Sequence, residues 1–499
     1  MLEAVLNSDD KYEKIWQGGL TPYLVSVVCG GLASLLIFDP MFVALMVFAP
    51  LPVLYFCLSG CLKRATQLGV IFGFSSMLPL VIKMTKIIPL PATLGFLLLF
   101  TVVLALQFIL PRLVLGKLKS SGDSKYLMLM PWVYAAAASA ITLVYNLPIA
   151  GHWLPMLTFQ SFDWSRQLVS VAGSFTFMFV TSLIAASALL LLLNRSRRAL
   201  ITSAAAALVV CIMFIAGYSQ TPEIDRNVRV AAITTILPEE VSSSWFSSFP
   251  PTLKTNDWLP IYQRYANLTQ DAAGKGAKII AWPEFSLMIK GDVDEANLKA
   301  SLTVLSKDLA VTIIAGFVNV DAARNTLFGI TPSGENTTYF KHFLVPDIES
   351  SWLKPGAANF GMLHVKELDL NIGMRTCYDN DFPIGTREAV QAGADIMVTP
   401  YADWEGIRKG HARLNASHAA ENHISTLRPS LDGISTIVSP EGEFIQSGPS
   451  FSNQDQILID DMPISKPGTL YTKFGDWLGW LSLMLLIVVG VVRYRSSKA

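Results

Sequence analysis

Three side chains in the second half of the sequence are of types that could together perform covalent catalysis. Cys377 follows the apolar run 370–376, Glu284 follows the apolar run 277–282, and Lys341 lies in a polar and aromatic segment. A thiol reacts as its thiolate, which forms when a base or a cation is close. A carboxylate can accept the proton, and a lysine can stabilise the oxyanion of a tetrahedral intermediate. Each residue alone is more often an ordinary surface or core residue, but the combination favours thiol attack on an acyl carbon.

The segments around these residues alternate between short β-branched runs and stretches with a helical spacing of apolar residues. This alternation is typical of an α/β sandwich, here of roughly 250 residues. Helical patterns cover 257–276 and 295–310, and 439–444 predicts a hairpin turn. Reactive side chains in such folds gather at the carboxyl ends of strands. The predicted strands are 228–236, 277–282, 311–318, 370–376 and 394–400.

The rest of the chain is more apolar than an ordinary soluble domain. Of the 499 residues, 52% are hydrophobic and 15% are charged, with a formal net charge of zero. Apolar runs of about 20 residues are long enough to cross a bilayer as helices. Seven such runs occupy 18–217, the α/β domain occupies 222–468, and an eighth run follows. The pattern predicts a polytopic membrane protein with spans at 18–38, 40–60, 66–84, 89–111, 127–148, 168–192, 199–217 and 474–492.

Basic residues near the ends of the predicted spans indicate the orientation of the chain. If 1–17 is cytoplasmic, fourteen Lys and Arg lie in short cytoplasmic segments, against Lys83, Lys86 and Arg166 on the opposite side. This bias follows the positive-inside rule. It predicts that 222–468 lies outside the cytoplasm and that the C-terminus is inside. The fourteen are Lys11, Lys14, Lys63, Arg64, Arg112, Lys117, Lys119, Lys125, Arg195, Arg197, Arg198, Arg493, Arg495 and Lys498.

The cysteines and histidines do not indicate a disulfide or a metal site. Four of the five cysteines lie in or beside predicted spans, so Cys377 has no partner in its own domain. The alternative interpretation of Cys377 is a buried, inert thiol. His411, His418 and His423 lack the i, i+4 spacing of a helical metal pair, so we expect a solvated helix face. No cofactor is predicted, and no basic stripe with aromatics suggests nucleic acid.

The motifs around the three reactive residues resemble those of the nitrilase superfamily of carbon–nitrogen hydrolases. The sequence reads W-P-E at Glu284, K-H-x-L-V-P-x-x-E from Lys341 to Glu349, and I-G-x-x-x-C-Y at Cys377. Seven spans before such a domain and one after it resemble the apolipoprotein N-acyltransferase family, over nearly the whole chain. The resemblance implies an αββα sandwich. It also implies that Glu284 is the general base, Lys341 the oxyanion stabiliser and Cys377 the nucleophile.

The same resemblance implies supporting roles for four further residues. Glu349 matches a second family glutamate, and Asn325 matches a family asparagine upstream of the lysine. The backbone N–H of Tyr378 would help to hold the oxyanion. Asp379 stands where the family usually has Glu, and segment 401–406 departs from the family's loop. These departures lie around the pocket, so they bear on the substrate more than on the chemistry.

The implied function is acyl transfer at the bacterial inner membrane, with the α/β domain on the periplasmic side. A membrane phospholipid would donate its sn-1 acyl chain to Cys377 as a thioester. The N-terminal amine of a diacylglyceryl-cysteine lipoprotein would then accept the chain. Two alternatives stay open: a membrane-anchored amidase, in which water replaces the amine, and a non-catalytic envelope scaffold with the same fold. A lipid-facing pocket that excludes water would favour transfer, and the three reactive residues argue against a scaffold.

Overall fold

The chain folds into a set of apolar helices and an α/β domain inserted before the last long helix. The computed structural model describes residues 19–35, 47–85, 90–117, 125–146, 166–236, 256–452 and 454–498. The predicted fold class, an α/β sandwich inserted in a polytopic helical membrane protein, is confirmed.

Six of the described helices are long and apolar enough to cross a membrane. The first two predicted spans, 18–38 and 40–60, contain shorter apolar helices, and 36–46 lies outside the described residues. The count of eight spans therefore stays a prediction. The helices before the α/β domain are α1 (Thr21–Ser34), α2 (Pro50–Ser59), α3 (Leu62–Met84), α4 (Leu90–Leu115), α5 (Lys125–Ala140), α6 (Val169–Ala172), α7 (Ser174–Leu193) and α8 (Arg197–Tyr218).

Two glycines allow α3 and α4 to pack closely. Gly69 and Gly73 lie one turn apart on α3, so they face the same side of the helix. A Cβ atom at Gly73 would lie 2.5 Å from the carbonyl oxygen of Thr101, and one at Gly69 would lie 3.0 Å from that of Ala105. Small residues spaced in this way let helix backbones approach each other in a membrane.

The α/β domain contains two large sheets in the described part of the chain. The strand order is β15-β1-β2-β4-β5-β6 in the first sheet, where β3 also pairs with β4, and β14-β13-β11-β9-β8-β7 in the second; β10 pairs with β12. The strands are β1 (Ile224–Thr234), β2 (Ile279–Ala281), β3 (Leu287–Ile289), β4 (Thr312–Asn319), β5 (Arg324–Ile330), β6 (Asn336–Phe340), β7 (Gly361–Val365), β8 (Leu370–Met374), β9 (Ile396–Val398), β10 (Tyr401–Ala402), β11 (Ser425–Arg428), β12 (Ser430–Leu431), β13 (Thr436–Val438), β14 (Phe444–Ser447) and β15 (Gln456–Ser465).

Side-chain alternation along the strands divides the domain into layers. In β1, Val228 and Val230 point into the core between the two sheets, whereas Ala231 and Ile233 point toward the helices on the outer face. This is the two-residue period of a strand buried on both faces. Helices α9 (Leu259–Gly274) and α10 (Gly291–Leu309) cover the first sheet, and α11 (Pro383–Gln391) and α12 (Arg408–Asn422) cover the second.

Both connections from the α/β domain to the apolar helices leave from the same edge of the first sheet. Strands β1 and β15 pair in antiparallel fashion, with Ile224 opposite Ser465. After β15 come the short helix α13 (Leu470–Phe474) and the long apolar helix α14 (Trp477–Lys498). The indole N–H of Trp477 donates to the carbonyl of Val171 at 2.9 Å. The first and last membrane junctions of the domain are therefore neighbours.

Candidate active site

Strand ends from both sheets carry the three residues predicted to be catalytic. Glu284 follows β2 and Lys341 follows β6 in the first sheet, whereas Cys377 follows β8 in the second. Their exposed fractions are 1%, 1% and 6%. Because a buried charge is costly unless it is paired, the partners of these side chains decide what the site can do.

Lys341 joins two carboxylates. Its Nζ donates to Glu284 Oε1 and to Glu349 Oε1, each at 2.8 Å. The Nδ2 of Asn325 donates to the same two carboxylates, at 2.8 Å to Glu284 and 3.3 Å to Glu349. The backbone N–H of Val345 donates to Glu349 Oε2 at 2.9 Å. Four residues named from the sequence therefore form one buried, hydrogen-bonded cluster.

Electrostatics in this cluster keep the lysine charged. Burial by itself lowers the pKa of Lys341, but the charges of Glu284 and Glu349 outweigh burial and hold that pKa well above its ordinary value. Burial raises the pKa of Glu349, and Lys341 offsets only part of this effect. The site therefore has a charged lysine at its centre, held by two carboxylates that also accept hydrogen bonds from the Asn325 amide.

Cys377 occupies a sharp turn. Its φ angle is +43°, in the left-handed region that residues other than glycine rarely adopt. Its N–H donates to the carbonyl of Pro400 at 2.9 Å, and the residue begins a 3₁₀ helix over Cys377–Asp381. Strained backbone of this kind costs about 1–3 kcal/mol and occurs preferentially at functional sites. The turn is thus held by its surroundings rather than by local preference.

Ala402 contacts both the carboxylate and the thiol. Its backbone N–H donates to Glu284 Oε2 at 3.1 Å, and its carbonyl oxygen accepts from Cys377 Sγ at 3.9 Å. One residue of β10 therefore connects the two side chains predicted to be base and nucleophile. Sequence reasoning missed Ala402, because its contacts are made by backbone atoms and leave no signal in the residue type.

The surroundings of Cys377 favour its thiol over the thiolate. Burial and the charge of Glu284 raise its pKa well above the ordinary value, and Lys341 lowers it by a smaller amount. Deprotonation of this thiol must therefore accompany its reaction, which requires a nearby base rather than a preformed thiolate.

Asp379 ties the turn of Cys377 to the segment that follows Lys341. Its Oδ1 accepts the backbone N–H groups of His342 and Phe343, at 3.1 and 2.7 Å. Its Oδ2 accepts the hydroxyl of Tyr339 at 2.7 Å. Burial raises the pKa of Asp379, although the Arg375 guanidinium offsets part of that shift. Asp379, named from the sequence as a departure from the family, therefore holds the turn of Cys377 against the segment around Lys341.

Tyr378 is also buried beside the nucleophile. Its ring packs edge-on against Phe382, with centroids 5.3 Å apart, so the side chain fills the core under the turn. The role predicted for its backbone N–H stays a prediction.

The prediction for the three histidines of α12 and its C-terminal end was wrong. His411, His418 and His423 are 4%, 2% and 1% exposed, so they do not form a solvated face. The pattern misled because His411 and His418 are buried against polar partners: His418, for example, contacts Glu421 Oε2 at 2.6 Å and the carbonyl of Asn380 at 2.8 Å. Among the described residues, no group of three or more His, Cys, Asp or Glu could hold a metal ion.

Residues 246–466 match the model of the carbon-nitrogen hydrolase family. This part of the chain is similar to carbon–nitrogen hydrolase domains. Solved structures with a similar fold include an amidase from Nesterenkonia sp. AN1 (TM-score 0.41, 17% identity, covering 51% of this chain and 96% of the amidase). A nitrilase-superfamily protein from Saccharomyces cerevisiae has a TM-score of 0.39 at 17% identity, covering 48% of this chain and 91% of its own.

The relatives that this chain resembles are apolipoprotein N-acyltransferases. The one from Wigglesworthia glossinidia brevipalpis is 26% identical over 244 residues, which are 43% of this chain and 48% of the relative. The one from Bdellovibrio bacteriovorus is 27% identical over 254 residues, which are 44% of this chain and 46% of the relative. The matches thus span about half the length of these relatives.

Proposed function

We propose that this protein is an N-acyltransferase that moves an acyl chain from a membrane phospholipid, through a thioester on Cys377, to the N-terminal amine of a diacylglyceryl-cysteine lipoprotein. The observation that carries the proposal is the buried cluster of Glu284, Lys341 and Glu349, linked through Ala402 to the Cys377 thiol. The resemblance to apolipoprotein N-acyltransferases supports the choice of donor and acceptor.

Contacts between the site's loops and the apolar helices support lipid substrates. Ile348, one residue before Glu349, and Trp404, two residues after Ala402, pack against a cluster of apolar side chains from the membrane helices. Loops that hold the site therefore meet the helices that would lie in the bilayer, and a membrane-anchored site meets its lipid substrates at high effective concentration. The cluster includes Met77, Leu80, Val81, Met84, Phe96, Leu97 and Phe100.

In the first half-reaction, the Cys377 sulfur attacks the ester carbonyl carbon as Glu284 accepts the thiol proton. A C–S bond forms, and the Lys341 ammonium stabilises the charge on the carbonyl oxygen. The C–O bond to glycerol then breaks. Glu284 returns its proton to the leaving oxygen, which releases a lysophospholipid and leaves the thioester.

In the second half-reaction, the neutral α-amine of the lipoprotein attacks the thioester. A C–N bond forms, the C–S bond breaks, and the amine proton passes through Glu284 to the Cys377 sulfur. Because an ammonium ion has no lone pair, a partly desolvated pocket would favour the reactive, neutral form of the amine. If water attacked instead, the product would be a fatty acid.

Labelled phospholipid tests the proposal directly. The purified full-length protein should acquire a hydroxylamine-sensitive acyl label, and Cys377→Ala should not. Cys211→Ala is the matched control, because Cys211 is an exposed thiol on α8, and it should label like the wild type. Lack of label on the wild type, or equal label on Cys377→Ala, would contradict the thioester. A diacylated lipopeptide should then discharge the label as an amide, whereas release of fatty acid would identify a hydrolase.

A cysteine-accessibility assay in intact cells tests the proposed place of the protein, an inner membrane with the α/β domain on the periplasmic side. A thiol introduced at the exposed Val293 of α10 should react with a membrane-impermeant maleimide once the outer membrane is permeabilised. Reaction only after lysis of the inner membrane would reverse the orientation.

A further inference from the structure

A second buried charge network lies behind the Cys377 turn. The ring of His411 on α12 stands between two carboxylates: Nδ1 is 2.8 Å from Asp403 Oδ1, and Nε2 is 3.3 Å from Asp381 Oδ1. Asp403 also accepts from the guanidinium of Arg428 and, at 3.3 Å, from the Ser430 hydroxyl. These residues were not singled out as site residues from the sequence, and the proposed mechanism does not use them.

Both carboxylates belong to segments that carry the site. Asp381 ends the 3₁₀ helix that begins at Cys377, and Asp403 follows Ala402 directly. The backbone of Ala402 in turn contacts both the Glu284 carboxylate and the Cys377 sulfur. A movement of either segment relative to the other would therefore change the distance between thiol and base.

Only the charged imidazole can donate to both carboxylates. A neutral histidine has one N–H and one bare nitrogen, so one of its two carboxylate partners would face a lone pair. Burial alone lowers the pKa of His411, but Asp381 and Asp403 outweigh burial and raise that pKa to about 9. The ring lies 5.2 Å from that of Tyr401, over which Arg428 stacks at 3.9 Å.

We propose that His411, as an imidazolium ion, is a positioning residue that ties the Cys377 turn to the Ala402 strand and so holds the thiol next to Glu284. This inference rests on the proposed function for its kinetic consequence, but the tie itself does not depend on the substrate. Loss of the ion leaves Asp403 paired with Arg428, and it removes the ion pair that Asp381 makes among the described residues. The Cys377 thiolate is then less favoured, since Asp403 already disfavours it.

Two readouts on the full-length protein test the tie. The first is alkylation of Cys377 by iodoacetamide, followed by mass spectrometry between pH 7 and 10. At pH 8, His411→Asn should slow it by roughly threefold or more, because Asp403, whose charge disfavours the thiolate, loses its counter-ion. The second is acyl-enzyme formation, which should fall by about 10- to 100-fold at neutral pH because the reacting groups are misplaced. The ratio of wild-type to His411→Asn acylation rates should approach one above pH 9, where the wild type loses the same charge.

Two further variants make the test specific. Asp381→Asn keeps the side-chain shape and removes one of the charges that favour the ion. The acylation rate of this variant should therefore begin to fall at a lower pH than that of the wild type. His423→Asn is the matched control, because His423 is equally buried and its ring contacts no carboxylate among the described residues; it should behave as the wild type.

The possible outcomes separate the two proposals. Unchanged alkylation and acylation in His411→Asn, or a rate ratio independent of pH, would overturn the positioning role. A third outcome is that the wild type forms no acyl-enzyme, while alkylation slows in His411→Asn and not in His423→Asn. That outcome would support the positioning role of His411 and contradict the proposed function.

Discussion

The α/β domain and the apolar helices use their buried polar groups differently. In the domain, several buried charges are paired with one another, as in the cluster of Lys341 with Glu284 and Glu349. Before residue 222, the buried polar side chains described are hydroxyls and amides except for Arg166, whose partner Glu443 lies in the domain. The domain therefore depends on the pairing of specific charges, whereas the helices depend on shape. Substitutions should therefore distinguish stabilisation by charge pairing in the domain from stabilisation by close packing in the helices.

The largest effect is expected from Lys341→Met, which removes the cation from two buried carboxylates. Breaking a buried ion pair from one side costs about 3–5 kcal/mol, because a charge remains without its partner. Acyl-enzyme formation should also fall by about 100- to 1,000-fold, as expected on loss of an oxyanion stabiliser. Thermal unfolding in detergent and the labelling rate measure the two effects.

Lys299→Met is the matched control for that substitution. Lys299 pairs with Glu295 at 2.7 Å, but the two side chains are 28% and 19% exposed. A pair that water still reaches contributes about 0–1 kcal/mol, so stability should change little and labelling should not change. Equal losses in the two variants would show that burial does not distinguish them.

A smaller effect is expected from Asp379→Asn. The amide keeps the shape but replaces one acceptor oxygen, so one of its bonds to Tyr339, His342 or Phe343 is lost. Leaving a buried donor without its acceptor costs about 1–3 kcal/mol. Acylation should slow by roughly tenfold while the KM for phospholipid stays nearly constant, since the variant displaces the turn and not the lipid.

Asp379→Glu is the informative companion variant. It restores the residue that the resemblance to the family leads one to expect and keeps the charge, so it should recover part of the rate. An Asp379→Asn enzyme as fast as the wild type would contradict the role of Asp379 in holding the Cys377 turn in place.

Local sequence patterns predicted the strands of the fold better than the contacts within the candidate site. Alternating apolar runs placed the strands within a few residues: 277–282 was predicted, and Ile279–Ala281 is observed. The sequence motifs singled out Glu284, Lys341 and Cys377, and the structure places each of them shortly after the end of a strand. The contacts of Ala402 and His411 could not be predicted, since they depend on which distant loop reaches the strand ends. The burial of α12 was missed in part for the same reason, because His418 and His411 also contact Asn380 and Asp381 in a distant segment of the chain.

In the helices, the sharpest test is Gly73→Ala. The added Cβ would lie 2.5 Å from the Thr101 carbonyl oxygen, which forces α3 and α4 apart. Overpacking of this kind costs about 1–3 kcal/mol. Gly95→Ala on α4 is the control, because its Cβ would meet nothing within 4 Å and alanine favours the helix. The thermal midpoint should fall for Gly73→Ala and hold or rise for Gly95→Ala. An unchanged midpoint for Gly73→Ala would contradict the stabilising role of this close approach.

The smallest effect is expected at His423, which is buried like His411 but has no carboxylate partner among the described residues.

Burial lowers the pKa of His423 to about 4 and leaves the ring neutral, whereas carboxylates raise that of His411 to about 9. Between pH 6.5 and 4 the unfolded chain therefore binds a proton at His423 that the folded chain does not, and stability falls as pH decreases. His411 acts in the opposite direction: its contribution is complete below pH 6.5 and is lost as pH rises through 9. His423→Asn tolerates the left-handed φ of +51° and removes the acid-side term. From pH 7 to 5.5 the wild type should lose about 1 kcal/mol more than His423→Asn. Identical acid-side slopes in a thermal-shift series would show that His423 does not titrate on unfolding.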